Sequence, residues 1–247
     1  MMRFVEKANL PQGKVKSVIC GELCDELNEY FDSVGIQRIS ISPNENIDKA
    51  VKYHTDMAAI HLGGNKIIID KNQNDLTEII SNMGVKVYST AKAIAGEYPY
   101  DIALNFTLSG HNIIGKFDYA DEVLLDCSDI FNFINVKQGY CKCSCLVVEE
   151  NAIITDDESI YKTLINNGFD VLLISKGDVR LEGHEYGFIG GASGKISKNE
   201  ILFFGDVTEH RDYKLIADFI KKYGCEIISL DFPLTDFGGI IPLVEEF

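Results

Sequence analysis

A histidine and an aspartate separated by one residue are the first candidates for chemistry in this chain. His54-Thr55-Asp56 precedes an apolar run that begins at Met57. If the segment starts a strand, both side chains project to the same side of it. A carboxylate beside an imidazole favours its charged form and holds its orientation, as a general acid or base requires. The plainer interpretation is a polar strand start in a loop, which is common for so short a motif.

Three cysteines alternate with other residues in the segment Gly139-Tyr140-Cys141-Lys142-Cys143-Ser144-Cys145. In a strand they would share one face, where cysteines are most often small core residues. Zinc ligands normally have loop spacings such as Cys-x-x-Cys, so we expect no metal site here. The third interpretation is a nucleophile at the open end of the strand, with its thiolate favoured by a nearby imidazolium. The register gives Cys141 and Cys143 the same face and leaves both as candidates.

A glycine-rich stretch from Gly187 to Ile196 has the composition of a nucleotide-binding loop but not its pattern. A Walker loop needs a glycine where Ile189 stands and a serine or threonine where Ile196 stands. We therefore expect a wide hairpin turn there and no cofactor.

The candidate residues belong to a unit of about forty to fifty residues that recurs along the chain, as in arrays of supersecondary structure. One unit apart stand Asp56, Asp101, Cys143, Glu185 and Asp236, and His184 adjoins the fourth of them. A circular array brings equivalent positions together on its axis. The repeat therefore predicts that these residues face one another.

The elements that would position them follow a common order. Four helices are predicted, each ended by a glycine and followed at once by an apolar run. The helices span residues 22–34, 76–83, 159–167 and 213–223, and the following strands 36–42, 85–89, 169–175 and 225–230. The predicted hairpins pair 57–62 with 66–70, 102–108 with 112–115, 141–148 with 152–155, and 187–189 with 201–204.

The two ends of the chain are expected to share a fifth unit. Residues 237–243 would open it, and residues 16–20 would supply the strand that it lacks, which removes exposed sheet edges. The third unit has a predicted strand at 120–126 and no clear helix. We expect one α/β domain over residues 1–247 with about five ββαβ-type repeats. The alternative is a doubly wound α/β domain with a parallel sheet and a ligand at its switch point.

The composition limits the classes of partner. A formal net charge of −15 opposes direct binding to nucleic acid or to anionic membranes and suits a cationic small molecule. Apolar residues make up 46% of the chain, and no apolar run approaches the length of a membrane span. Seven cysteines and a start without a secretory signal favour a reducing, cytoplasmic location.

The repeat count and the residues at its equivalent positions resemble the pentein superfamily, which includes the guanidino-group modifying enzymes. His54-Thr55-Asp56 is similar to the His-x-Asp of its arginine deiminase-like members, and Gly139-Tyr140-Cys141-Lys142-Cys143 to the context of their nucleophilic cysteine. The resemblance implies a five-bladed α/β propeller around a narrow channel. The family usually has its nucleophile near the C-terminus, whereas Cys143 lies in the middle of this chain.

The resemblance also implies roles for individual residues. Cys143 would attack a guanidinium-type carbon to form a covalent thiouronium adduct, and His54 would move protons. Asp56 and Asp101 would hold the cationic group. Further substrate contacts are expected from Glu182, His184 and Asp236, because Leu181-Glu182-Gly183-His184 is a partial substitute for the family's Glu-Gly-Gly-Asp element. The superfamily also contains ribosome anti-association factors, so a non-catalytic binding module is the alternative function.

Overall fold

Sixteen strands and six α-helices make up the protein, in a computed structural model that describes all of residues 1–247. The strands are β1 Met2–Phe4, β2 Lys14–Cys20, β3 Gln37–Ser40, β4 Ala59–Gly63, β5 Lys66–Ile69, β6 Lys86–Ser89, β7 Thr107–Ser109, β8 Asn112–Gly115, β9 Asn132–Asn135, β10 Cys145–Glu149, β11 Ala152–Thr155, β12 Asp170–Leu173, β13 Ser193–Lys195, β14 Glu200–Phe203, β15 Glu226–Ile228 and β16 Ile240–Glu246. The helices are α1 Asp25–Val34, α2 Thr55–Ala58, α3 Asn74–Asn82, α4 Glu122–Leu125, α5 Glu158–Asn166 and α6 Tyr213–Lys222. None of the helices has the length and apolar character that crossing a bilayer requires.

The strands form five small sheets, and the first four repeat one topology. In each of these sheets an antiparallel hairpin is followed by a helix and then by a strand parallel to the second hairpin strand. The sheets are β4-β5-β6, β7-β8-β9, β10-β11-β12 and β13-β14-β15, with the helices α3, α4, α5 and α6 as their connections. The predicted ββαβ-type repeat is therefore confirmed.

The fifth sheet combines both ends of the chain. β16 pairs antiparallel with β2, which pairs parallel with β3 after helix α1, and β1 adds to the other edge of β16. This sheet has the same topology as the others, except that its hairpin strands come from opposite termini. The predicted closure by strands from both ends is confirmed. The doubly wound alternative is wrong, because the strands form five sheets and not one.

Consecutive residues of each central strand enter two different apolar cores. Successive side chains of a strand point to opposite faces, so a strand buried on both faces needs a core on each side. The pairs of residues are Ile67 and Ile68, Ile113 and Ile114, Ile153 and Ile154, Ile201 and Leu202, and Val18 and Ile19. Each core joins two consecutive sheets, and the fifth core joins the last sheet to the first. The order of the sheet contacts is therefore cyclic.

The glycines at the helix ends have the conformation that the sequence predicts. Those that end α1, α3, α5 and α6 have φ between 68° and 88°, in the left-handed region. A side chain there would meet no neighbouring atom, so the requirement is conformational.

Two predicted strands are wrong, and a third, at residues 102–108, begins only at Thr107. Residues 120–126 contain helix α4, because the Asp121 side chain accepts a hydrogen bond from Val123 N and starts a helical turn. The strand of this unit is β9, farther along the chain. Residues 187–189 precede a turn in which Ala192 N donates to Phe188 O at 3.1 Å, and the strand of the fourth unit begins only at Ser193.

An N-terminal strap, residues 5–15, crosses all five sheets at the end where their hairpins turn. Gly64 N donates to Val5 O at 2.9 Å, and Asn9 Nδ2 donates to Leu108 O at 3.0 Å. Further contacts to the other three sheets are Val5 N to Leu243 O, Lys7 to Glu150, and Val15 N to Ile196 O. The strap also places Leu10 in the core between the second and third sheets.

We expect Leu10→Ala to lower the free energy of unfolding by about 2–5 kcal/mol, because it removes a side chain that is 1% exposed from a packed core. Urea denaturation followed by circular dichroism measures the change. The matched control is Leu215→Ala, at a leucine that is 52% exposed, and its effect should stay within about 0.5 kcal/mol. Equal effects of the two substitutions would show that the strap does not contribute to the core.

Candidate active site

The polar residues of the site stand directly before the first strands of three sheets. His54 and Asp56 precede β4, Cys143 precedes β10, and Asp236 precedes β16. The cyclic order of the sheets brings these strand starts together at the end of the ring opposite the strap. Gly238 permits the approach, because a Cβ at this position would lie 2.4 Å from the Cα of His54.

Cys143 is the cysteine whose thiol lies among these polar residues. Its side chain is 2% exposed, and Sγ donates a hydrogen bond to Asp56 Oδ2 at 2.9 Å. Asn105 Nδ2 donates to Sγ at 3.1 Å, and the Asn105 Oδ1 accepts from Lys142 N at 2.8 Å. Burial raises the pKa of the Cys143 thiol well above its usual range, and the carboxylates of Asp56 and Asp236 raise it further. The thiol is therefore protonated at neutral pH.

Asp56 contacts the Cys143 thiol but does not line the cavity that borders this thiol. Burial raises the pKa of its carboxyl to about 6, although the nearby charges of His54 and Lys142 act in the opposite direction. Oδ2 accepts from Cys143, and Oδ1 has no hydrogen-bond partner. A carboxylate with this pKa in contact with the thiol can accept the thiol proton.

His54 and Asp236 form the other half of the site. His54 Nδ1 lies 3.7 Å from Asp236 Oδ1 and has no hydrogen-bond partner, although the side chain is buried. Asp236 Oδ2 accepts from Phe188 N and Oδ1 accepts from Gly238 N, both at 2.9 Å. These backbone donors hold the carboxylate in place, so a protonated His54 would have a fixed anionic partner.

A cavity of about 260 Å³ opens onto these groups. Its floor contains Cys143, His54 and Asp236, and its remaining lining comes from Tyr140 and from the segments around Asp48 and Tyr186. A wider outer cavity of about 770 Å³ adjoins it and shares His54 and Asp236. The thiol therefore borders a space in which a small molecule can bind.

The structure changes how several predicted site residues are positioned. His54 and Asp56 do not alternate along a strand, because Thr55–Ala58 is a single turn of helix. Residues 141–144 likewise form a turn, in which Ser144 N donates to Tyr140 O, and β10 starts at Cys145. The common strand face predicted for the cysteines is thus wrong. Cys141 points into the core between the second and third sheets, and only Cys143 borders the cavity.

The remaining predicted residues lie at different depths. His184 and Asp236 line both cavities, while Glu182 lines only the outer one. Asp101 lines neither cavity, and its Oδ2 accepts a hydrogen bond from the Tyr140 hydroxyl at 2.7 Å. Asp101 thus positions Tyr140, whose side chain does line the inner cavity.

Three functional positions were missed from the sequence. Asn105 bonds to Cys143 from the neighbouring sheet, and nothing in its sequence context indicates this. Tyr140 and Asp48 line the inner cavity. The position of Tyr140 inside the cysteine segment was a usable signal, whereas Asp48 lies in a polar loop without a motif.

The site also contains a set of metal-binding donors. Ligand atoms of His54, Asp56 and Cys143 all lie within 4.8 Å of one another. Imidazole nitrogen, carboxylate oxygen and thiolate sulfur are the donors that bind Zn²⁺ in proteins. The chemistry of the three groups is therefore compatible with a divalent metal, as well as with acid–base and nucleophilic reactions.

Comparisons with known proteins place the chain in a structural context. The model of a family of unknown function, DUF6873, matches residues 18–241. No curated protein matches the sequence.

Solved structures show the same fold at low sequence identity. The inosamine-phosphate amidinotransferase of Streptomyces griseus is 11% identical with a TM-score of 0.62, and the match covers 98% of this chain and 97% of that one. An amidinotransferase of the saxitoxin biosynthetic pathway from Microseira wollei is 13% identical with a TM-score of 0.59, over 93% and 92% of the two chains. The agmatine deiminase of C. jejuni is 11% identical with a TM-score of 0.53, over 93% and 91%.

We expect Asp56→Asn to stabilise the protein at alkaline pH. The folded state raises the pKa of Asp56 to about 6, so it binds the proton more tightly than the unfolded chain does, and stability falls as the pH rises to that value. The substitution removes this destabilisation. The free energy of unfolding should rise by up to about 3 kcal/mol at about pH 8, and this gain should disappear at about pH 4. Urea denaturation at both pH values measures the gain.

The control for this experiment is Asp218→Asn at an exposed aspartate on helix α6, which should change stability by less than about 0.5 kcal/mol at either pH. An Asp56→Asn protein that is less stable than the wild type at the higher pH would contradict the placement of this carboxyl in a desolvated site.

Proposed function

The chain belongs to DUF6873, a family of unknown function, and has the fold of the pentein superfamily, and we propose that it modifies the guanidino or amidino group of a cationic small molecule through a covalent adduct on Cys143. The observation that carries the proposal is the placement of a thiol, an imidazole and a carboxylate on the floor of one cavity. At 11–13% identity, the likeness to the amidinotransferases and the deiminase shows a shared fold and not a shared activity, so the residues of the site support the proposal.

A cationic substrate activates the thiol electrostatically. Two carboxylates close to Cys143 disfavour a thiolate in the free protein, in addition to burial. A guanidinium held by Asp236 brings a positive charge next to Sγ, and this lowers the cost of the thiolate. The thiol proton then passes to Asp56 Oδ2, to which it is already hydrogen-bonded. Reactivity therefore depends on a bound cation.

The covalent step follows from the same geometry. The Cys143 thiolate adds to the central guanidinium carbon, and the C–N bond to one nitrogen breaks. Protonated His54 gives its proton to the departing nitrogen, which leaves as ammonia or an amine. A thiouronium adduct on Cys143 results. Asp236, at 3.7 Å, would hold the imidazolium before this transfer.

Release of the adduct completes the reaction. His54 removes a proton from water, which adds to the thiouronium carbon, and the C–S bond breaks to give a urea-type product. The thiolate takes its proton back from Asp56, and the hydroxyl proton of the product passes to the released ammonia or amine. An acceptor amine in place of water gives amidino transfer by the same steps. Both reactions need only the side chains already present in the site.

We expect a cationic alkylating agent to modify Cys143 faster than a neutral agent of the same shape. 2-Chloroacetamidine carries the positive charge and 2-chloroacetamide does not. The ratio of the two rates at Cys143 should be at least about tenfold higher in the folded protein than in the unfolded protein, because only the cation relieves the charge around the buried thiol. Peptide mass spectrometry after timed quenching gives both rates.

The unfolded protein is the control, because the ratio at Cys143 in the unfolded chain reports the intrinsic reactivities of the two agents. Cys24 of the folded protein cannot serve this purpose, since it lines the acidic outer cavity. Equal ratios at Cys143 in the folded and the unfolded protein would contradict activation by a bound cation.

We expect Cys143→Ser and His54→Ala each to reduce turnover of guanidino compounds by about a thousandfold or more, since each removes a group that takes part in bond breaking. Release of ammonia from agmatine, arginine and methylated guanidines measures hydrolysis, and added amines test transfer. Cys141→Ala is the matched control, and it should keep its activity, because Cys141 packs in a core and does not border the cavity. Thermal shifts by these compounds without turnover by the wild type would favour the non-catalytic binding module.

A further inference from the structure

The inner cavity contains acids but no lysine or arginine. Its ionisable lining consists of Asp48, Glu185 and Asp236 together with His54, His184 and Cys143, besides the tyrosines of its wall. A ligand in this cavity therefore meets carboxylates near both of its ends. An anionic group on the ligand would find no fixed cation beside it.

The acids lie at two depths. Asp236 is buried on the floor, next to His54, whose unpartnered Nδ1 is also buried. Asp48 lies at the mouth, with its side chain 53% exposed, and Glu185 is exposed as well. A ligand that places a guanidinium on the floor, next to Asp236, thus extends toward a pair of carboxylates at the mouth.

Aromatic side chains form the wall between floor and mouth. Phe188 lies 6.3 Å from Tyr140 and 6.0 Å from Tyr186 between ring centroids. All three line the inner cavity. Such a surface suits a short alkyl chain and also attracts a cation through the faces of its rings.

The mouth of the inner cavity already contains a contact between a nitrogen group and a carboxylate. His184 Nε2 lies 3.4 Å from Asp48 Oδ1, so a nitrogen donor from a neighbouring loop faces this carboxylate. A ligand ammonium can take the place of His184. The two lysines of the outer cavity do not line the inner one: Lys52 is paired with Glu45 at 2.9 Å, and Lys49 is exposed and follows Asp48 in the sequence.

We propose that the substrate is a guanidine or amidine with a second cationic group at its far end and no carboxylate, and that Asp48 and Glu185 bind this second group. This inference rests on the proposed function of the site. The two acids select for a distal ammonium, and they select against the carboxylate of an amino acid, because like charges at close range are repulsive.

Three compounds separate the effect of the distal ammonium from that of the carboxylate. Agmatine carries a guanidinium and a distal ammonium, n-butylguanidine lacks the ammonium, and arginine adds a carboxylate to agmatine. Calorimetric titration of the full-length Cys143→Ser protein measures binding without turnover. We expect agmatine to bind at least about tenfold more tightly than either of the other two.

Substitutions at the mouth of the inner cavity test whether Asp48 and Glu185 cause the preference for agmatine. The double variant Asp48→Asn/Glu185→Gln, in the Cys143→Ser background, should lose most of the agmatine advantage and keep its affinity for n-butylguanidine within about twofold. The control is Asp75→Asn/Glu78→Gln, which removes the same charges from the exposed face of helix α3 and should leave all three affinities unchanged.

The outcomes distinguish the two proposals. Binding of n-butylguanidine or arginine as tight as that of agmatine, or an agmatine advantage that survives the double substitution, overturns the substrate class and leaves the guanidino chemistry in place. Absence of binding by all three probes, together with no ammonia release by the wild type, overturns the proposed function itself.

Discussion

Every central strand of this protein is buried on both faces, and this constraint determines the arrangement of the whole chain. A strand such as β11 places Ile153 in one core and Ile154 in the next, so each sheet needs a neighbour on both sides. A linear row of sheets would leave two faces uncovered. The contacts instead close on themselves, and the closing sheet is completed by strands from opposite ends of the chain. The starts of the first hairpin strands then face one another.

Bringing these polar residues together in the site lowers the stability of the fold. Asp56 is desolvated, and one of its oxygens has no partner; His54 also has an unpartnered buried nitrogen. Such groups destabilise a fold unless something binds to them. The backbone donors to Asp236 and the Asn105 amide fix the surrounding groups, so the unpartnered atoms are confined to the floor of the inner cavity and to the space directly behind Cys143. A cationic ligand bound on the floor would bring a positive charge next to the thiol and these acids, which is how the geometry supports the proposed chemistry.

The strap gives the ring two different ends. Residues 5–15 cross the hairpin turns and contribute Leu10 to a core, and only voids of about 20 Å³ and about 10 Å³ remain between Asn9 and Lys142. The inner cavity lies at the opposite end, where Cys143 borders it. A fold shared with amidinotransferases and a deiminase at 11–13% identity does not by itself decide what binds there. The choice of ligand depends on the acids and aromatic rings that line the inner cavity.

Local signals in the sequence determined much of the fold. The glycines after α1, α3, α5 and α6 and the apolar runs that follow them predict the helix–strand joints, because these features depend on neighbouring residues alone. The unpaired apolar runs at the two ends of the chain likewise predict the sheet formed by β2 and β16. The sequence also indicated His54, Asp56 and the pair Cys141 and Cys143 as candidates by residue type. It did not predict that α2 is a helical turn or that α4 replaces a strand, since short apolar segments fit either periodicity.

Tertiary structure alone decided which of these groups meet. Cys141 and Cys143 are equivalent in any argument from strand register, and only the turn before β10 sends one to a core and the other to the cavity. Asn105 and Asp236 reach the thiol and the imidazole from separate sheets, and Asp101 ends behind Tyr140. Contacts between residues so far apart in the chain depend on how five sheets pack around one axis, and no local pattern records that packing.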